Sequence, residues 1–276
     1  MQYTLYGPHN RPYIKPRRIL NKEQYLNDIV SVEEIMFEQK STYGYNDFLH
    51  EWAQLLINSI NLFEAGYFDC AFYSMRQAIE LSILIFYFVD SPDDIKKEKL
   101  SAWWNQKNFP TDGTMLNELK EKGRVCKEIH EKIPEFFKDL KNLKNTMNKI
   151  VHKQGFFYLY SILNHQSIIP NKQLCDPIIH FSNYLEKAIR LVAIIRILID
   201  PFPIILRDPA ISSRVFCLTK PYPNEMIDKY IGKDFLAKYE QTNYYQEYYQ
   251  IYSKNKITRI GEVITIKKEE IKEAQE

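Results

Sequence analysis

His152 is the residue of this chain best suited to proton transfer, because an imidazole gains or loses a proton near neutral pH. Asn148 lies four residues before it, and Lys144 four residues before that. Residues four apart share one face of a helix. The same stretch is basic and rich in amides, through Lys141, Asn145 and Lys149 beside this series. Two interpretations are open: a local anion-binding flank that ends in a histidine, or a solvated outer face that happens to carry one.

The helix that must position these residues is predicted between Pro134 and Gly155. Proline suits a first helical position, and glycine suits the residue just past a helix end. Apolar residues recur at alternating steps of four and three, which predicts one buried face. They are Phe136, Leu140, Leu143, Met147 and Ile150.

A second helix is predicted from about Tyr67 to Val89, and it is apolar nearly all round, which indicates burial on most sides. Its exception is a narrow polar stripe, which we call the polar stripe: Asp69, Tyr73, Arg76 and Glu80. Arg76 and Glu80 are spaced to form an ion pair within the helix, since an unpaired buried charge costs several kcal/mol. The alternative places Arg76 on the wall of a polar groove.

Composition excludes several classes of protein. The 37 lysines and arginines nearly balance the 35 acidic residues, so bulk charge does not attract nucleic acid. The 8 glycines form no glycine-rich nucleotide loop, and the 4 cysteines are scattered without metal-ligand spacing. We therefore expect no cofactor and no metal. The first residues lack the apolar core of a secretory signal, and the longest apolar runs are too short to span a bilayer. We expect a soluble, cytoplasmic protein without membrane contacts.

The order of the predicted elements gives an all-α fold. Residues 1–45 read as an N-terminal arm and residues 46–200 as an antiparallel helical bundle. Residues 201–276 read as a mixed C-terminal extension packed on that bundle, because prolines and tyrosines accumulate there. Further helices are predicted at about 46–63, 115–133 (interrupted at Gly123), 177–199 and 224–239, and a short strand or hairpin within 256–267.

Two short motifs resemble the HEPN superfamily of helical bundles, over about residues 46–200. Ala71–Glu80 resembles the arginine and glutamate pattern common in the second helix of such domains. Asn148–Lys153 resembles the end of the family's R-x(4–6)-H signature, in which a polar residue, often asparagine, follows the arginine. The resemblance implies a HEPN-like bundle.

Active members of that superfamily are metal-independent endoribonucleases, often dimeric, whose histidine and arginine act at the ribose 2′-hydroxyl and the scissile phosphate. This chain departs from the signature at the arginine, because Asn145, Thr146 and Met147 occupy the positions where it would stand. A lysine nearby supplies charge but not the two-pronged guanidinium contact. The match therefore covers Asn148 and His152 and not the arginine.

The resemblance implies a role in bacterial defence or in a toxin–antitoxin system, and two functions are open. In the first, the protein is a non-catalytic RNA-binding, regulatory or scaffolding subunit. In the second, it is a metal-independent endoribonuclease with His152 as general acid and base and Asn148 orienting the phosphate or ribose. RNA contacts are expected from Lys141, Lys144, Asn145, Lys149 and Arg76. A homodimer or a heteromer with another protein is expected in either case.

Overall fold

The computed structural model describes residues 16–33, 43–107, 110–155, 158–159, 176–215 and 219–254. Within these ranges every regular element is helical and no strand occurs, which confirms the all-α class. The strand predicted within 256–267 lies outside the described residues. The helices are α1 (Lys22–Glu33), α2 (Tyr43–Glu64), α3 (Phe68–Asp90), α4 (Asp93–Trp104), α5 (Asp112–Lys122), α6 (Arg124–Lys132), α7 (Pro134–Val151), α8 (Pro177–Ile199), α9 (Phe202–Ile205), α10 (Pro209–Ser212), α11 (Asn224–Met226, continued by a π-helical turn Ile227–Ile231), α12 (Lys233–Glu240) and α13 (Asn243–Lys254).

Four long helices, α2, α3, α7 and α8, form an antiparallel bundle. Phe181 in the first turns of α8 stacks on Phe63 at the end of α2, with 4.0 Å between ring centroids, and also meets Phe72 near the start of α3. The later halves of α3 and α8 also meet, so these two helices run in the same direction. Val151 at the end of α7 contacts Tyr73 near the start of α3, so α7 runs in the opposite direction.

Helix α3 lies at the centre of this bundle and contacts α2, α8, α7 and α5. Among the described residues it is the helix long and apolar enough to cross a membrane by length and composition, and 67% of its apolar window is buried inside the protein. Burial of this kind is typical of a core helix. The apolar residues predicted on nearly all sides of α3 are therefore mostly covered by other helices.

The predicted helix 115–133 is two helices, α5 and α6, which meet at Gly123. The carboxylate of Asp90, at the end of α3, accepts hydrogen bonds of 2.8 Å from the backbone N–H groups of Val125 and Cys126. Asp90 thus caps the N-terminus of α6 from another helix. A side chain at position 123 would collide with that carboxylate, so the contact with Asp90 requires glycine where α5 ends and α6 begins.

The N-terminal helix and the C-terminal extension close the bundle from outside. Tyr25 of α1 donates a hydrogen bond to Glu186 of α8, and Asp28 of α1 accepts one from Tyr230 of the π-helical turn. The helix predicted at 224–239 is divided at Gly232, which has a φ of +84°. A left-handed residue of this kind ends one helix and lets the next start in a new direction.

Gly123→Ala should lower the free energy of unfolding by about 1–3 kcal/mol, since an added Cβ would lie 2.4 Å from Asp90 Oδ2 and 2.6 Å from the Leu119 carbonyl oxygen. Gly113→Ala is the matched control. Its Cβ would meet no atom closer than 4.0 Å, so alanine there should leave stability unchanged or raise it by up to about 1 kcal/mol. Urea denaturation of both variants measures the difference. Equal stabilities would show that Asp90 does not require glycine at position 123.

Candidate functional site

His152 lies directly after the last residue of α7, at the exposed end of the helix. Its backbone N–H donates to the Asn148 carbonyl at 2.9 Å, so the imidazole is attached to backbone that is still hydrogen-bonded to the helix. The predicted apolar face of α7 is confirmed, because all five of its residues are buried: Phe136, Leu140, Leu143, Met147 and Ile150. Burial of that face fixes which side of α7 faces solvent.

The backbone just after His152 is strained. Lys153 has a φ of +54°, and its N–H donates to the Ile150 carbonyl while that of Gln154 donates to the Lys149 carbonyl. This pair of bonds is a Schellman motif, whose left-handed residue is usually glycine. The glycine expected just past the helix end, Gly155, therefore lies two residues beyond the left-handed position. A lysine held there costs about 1–3 kcal/mol of backbone strain, which other contacts must offset.

Five exposed residues follow one line along α7, and we call them the α7 row: Lys138, Lys141, Asn145, Lys149 and His152. At a rise of 1.5 Å per residue the row is about 21 Å long. No side chain of the row makes a hydrogen bond or ion pair with any residue that the structure describes. Asp139 falls about 160° away from Lys141 around the helix, so it does not neutralise the row.

Two other predicted residues, Lys144 and Asn148, lie beside the row and are half-buried. Lys144 forms an ion pair with Asp112 in the first turn of α5, and it faces that helix rather than open solvent. The side chain of Asn148 has no partner within the described part of the chain. The structure thus separates the predicted lysines into Lys144, which is engaged, and Lys141 and Lys149, which are not.

The polar stripe, which lies on α3, meets the end of α7. Asp69 forms an ion pair with Lys153, and the Tyr73 hydroxyl donates to the Val151 carbonyl at 3.4 Å. The last carbonyls of a helix lack partners within it, so Tyr73 supplies one from outside. The Asp69 ion pair also helps to hold Lys153 in its left-handed conformation.

Arg76 follows Tyr73 along the stripe and forms the expected pair with Glu80, with 2.8 Å between Nε and Oε1. Its two terminal nitrogen atoms have no partner among the described residues. Arg76 lies three residues, about 4.5 Å, further along α3 than Tyr73, whose hydroxyl reaches Val151 of α7. The predicted ion pair of Arg76 is confirmed, whereas its place on the wall of a polar groove stays a prediction.

A second polar contact joins the later half of α3 to α5. Tyr87 of α3 donates a hydrogen bond of 2.6 Å to Glu118 of α5, and Lys99 lies 2.9 Å from the same carboxylate. Burial raises the pKa of the Glu118 carboxyl, but hydrogen bonds from Lys99 and Tyr87 outweigh that effect and hold it below its usual range. Glu118 is thus a charged structural partner of Lys99 and Tyr87.

Three residues of α7 stand where the HEPN signature would have its arginine. Met147 is fully buried, and the Thr146 hydroxyl donates to the Asn142 carbonyl within α7. Asn145 is exposed in the α7 row. These three positions therefore carry no cation, and the one guanidinium in the predicted set belongs to another helix, α3, at Arg76.

No group of histidine, cysteine and acidic residues that could hold a metal occurs in the described ranges. Cys126 is buried and Cys70 is exposed, each without a disulfide partner.

Lys138 belongs to the α7 row although the set of residues predicted from the sequence does not include it. Its position three residues before Lys141 continues the spacing of the row, so the sequence does carry the signal.

Within the described residues, the α7 row is a line of cations and an imidazole without ion-pair partners, and the terminal nitrogen atoms of Arg76 on α3 have no partner either. No model of a protein family, no curated protein and no solved structure matches this chain.

Proposed function

We propose that the chain is a HEPN-like protein of a bacterial defence or toxin–antitoxin system, acting as a non-catalytic RNA-binding subunit with a regulatory or scaffolding role. The observation that carries this proposal is the α7 row, in which three lysines, an asparagine and a histidine follow one exposed face. A line of cations about 21 Å long suits a linear polyanion better than a small anion. A cytoplasmic location is part of the proposal.

The contrast with neighbouring cations supports this reading. Lys144, Lys153 and Arg76 each have a carboxylate partner, whereas Lys138, Lys141 and Lys149 have none within the described ranges. The chain is nearly neutral overall, so the row is a local concentration of positive charge. A phosphate backbone neutralises such a row and releases condensed counterions, which favours binding.

RNA affinity should depend on the row in a salt-sensitive way. In Lys141→Ala and Lys149→Ala, fluorescence anisotropy with a single-stranded RNA should show weaker binding. The slope of log K against log salt should fall by about 0.7 for each phosphate contact removed. The loss should be similar for different RNA sequences, because phosphate contacts carry no sequence information.

Two lysines serve as controls. Lys127 is exposed on α6 and has no ion pair with a described residue, so Lys127→Ala should leave RNA affinity unchanged. Lys144→Ala removes the ion pair with Asp112 and should lower thermal stability more than RNA affinity. If Lys127→Ala weakens binding as much as Lys149→Ala, the α7 row is not the RNA site.

A partner protein is also part of the proposal: a second copy of the chain, or a heteromeric partner, packed so that the α7 row faces it across a cleft. The HEPN resemblance implies pairing through the helix that carries the histidine, which is α7 here. Light scattering at micromolar concentration should give about twice the 33.0 kDa of one chain if the partner is a second copy. A monomer would eliminate the homodimer and require a different protein as partner.

A second function, metal-independent cleavage of RNA, is favoured by the position of Arg76. Its terminal nitrogen atoms are without a described partner, and it follows by about one helical turn Tyr73, whose hydroxyl contacts the end of α7 next to His152. In such a reaction the ribose 2′-hydroxyl attacks the adjacent phosphorus and the bond to the 5′ oxygen breaks. His152 would move the proton, and Arg76 would stabilise charge on the phosphorane.

For a nuclease, His152→Ala should lower the cleavage rate about 10²–10⁴-fold while stability changes by no more than about 1 kcal/mol. Activity should persist in EDTA and leave 2′,3′-cyclic phosphate ends. Arg76→Ala should abolish cleavage, whereas Glu80→Ala breaks the same ion pair but keeps the guanidinium and should retain it. If the wild-type protein cleaves no RNA, alone or with its partner, the nuclease function is wrong and the non-catalytic function remains.

A further inference from the structure

Tyr73 presents part of an aromatic ring to solvent beside the end of α7. Its residue is 47% exposed, although it lies on a helix that is otherwise mostly buried. Its hydroxyl donates a long hydrogen bond of 3.4 Å to the Val151 carbonyl, which directs the ring toward α7. A half-exposed aromatic face is therefore available next to the end of the α7 row.

The position of this ring relates it to the α7 row. The Val151 carbonyl that accepts from Tyr73 belongs to the peptide bond leading to His152, the last residue of the row. Lys153, the next residue, pairs with Asp69 one helical turn before Tyr73. The ring therefore lies at one end of the line of cations, and Arg76 follows it along α3.

We propose that Tyr73 is a base-stacking residue, and that it receives an unpaired base of an RNA whose phosphates lie along the α7 row. This inference rests on the proposed RNA binding and adds that the bound RNA must offer an unpaired base at Tyr73. Every base has a face that can stack on an aromatic ring, whereas a base inside a duplex is already stacked and paired. Tyr73 therefore favours single-stranded RNA over duplex RNA, whereas the lysines of the row do not discriminate between the two.

The test combines protein variants with three RNA probes: a single strand, the same strand carrying abasic sites, and a blunt duplex of the same length. Tyr73→Ala should weaken binding of the intact single strand about 5- to 150-fold, the equivalent of about 1–3 kcal/mol. The same variant should bind the abasic strand and the duplex as wild type does. Base removal and ring removal should be non-additive, because either change removes the same stacking contact.

Conservative variants separate stacking from a purely structural role. Tyr73→Phe loses the bond to Val151 and keeps the ring, so it should keep most of the single-strand preference. Tyr73→Leu keeps apolar volume without an aromatic face and should lose that preference. Tyr67, which is 42% exposed at the start of α3 on the side away from the stripe, provides the control, and Tyr67→Ala should bind all three probes normally. Melting curves of each variant confirm that it is folded.

The outcomes distinguish this proposal from the one on which it rests. If Lys149→Ala weakens binding of all three probes while Tyr73→Ala and Tyr73→Leu bind the single strand like wild type, RNA binding stands and base stacking is wrong. A Tyr73→Phe variant that loses as much affinity as Tyr73→Leu assigns the effect to the hydroxyl contact and also overturns stacking. Failure of wild type to bind any probe removes both proposals.

Discussion

The polar stripe on the otherwise mostly buried helix α3 is the constraint on which the rest of this structure depends. Helix α3 is surrounded by α2, α8, α7 and α5, and a polar group inside such a bundle is costly unless it finds a partner. Polar residues of α3 contact several other helices: Asp69 and Tyr73 contact the end of α7, Tyr87 contacts α5, and Asp90 caps α6. These contacts fix how the helices between α3 and α8 are arranged.

The ion pairs in this arrangement determine position more than stability. The side chains of Arg76 and Glu80 keep 26% and 38% of their exposure, and an ion pair of that kind contributes about 0–1 kcal/mol. The pairs neutralise Arg76, Lys144 and Lys153. Lysines on the outer side of α7 are left without such partners in the described ranges, so the unpaired positive charge of α7 lies on one exposed face.

The C-terminal extension secures the other end of the bundle. The hydroxyl groups of Tyr239 and Tyr244 donate to the carbonyls of Ile197 and Ile199, at the end of α8. Burial raises the pKa of both phenols well above the usual range, so they are neutral donors. Since α8 runs parallel to α3, this end lies far from Tyr73. The C-terminal helices therefore brace the bundle at the end away from His152.

The sequence by itself determined the all-α class and the buried faces of the long helices, because helical periodicity and i,i+4 spacing are local properties of the chain. The apolar face of α7 and the Arg76–Glu80 pair were both readable in this way. Tertiary structure decided which cations are free. Lys144 finds Asp112 and Lys153 finds Asp69, and such partners distant in the chain carry no periodic signal. The contact of Tyr73 with Val151, 78 residues away, is of the same kind, and it exists only once α7 has packed against α3.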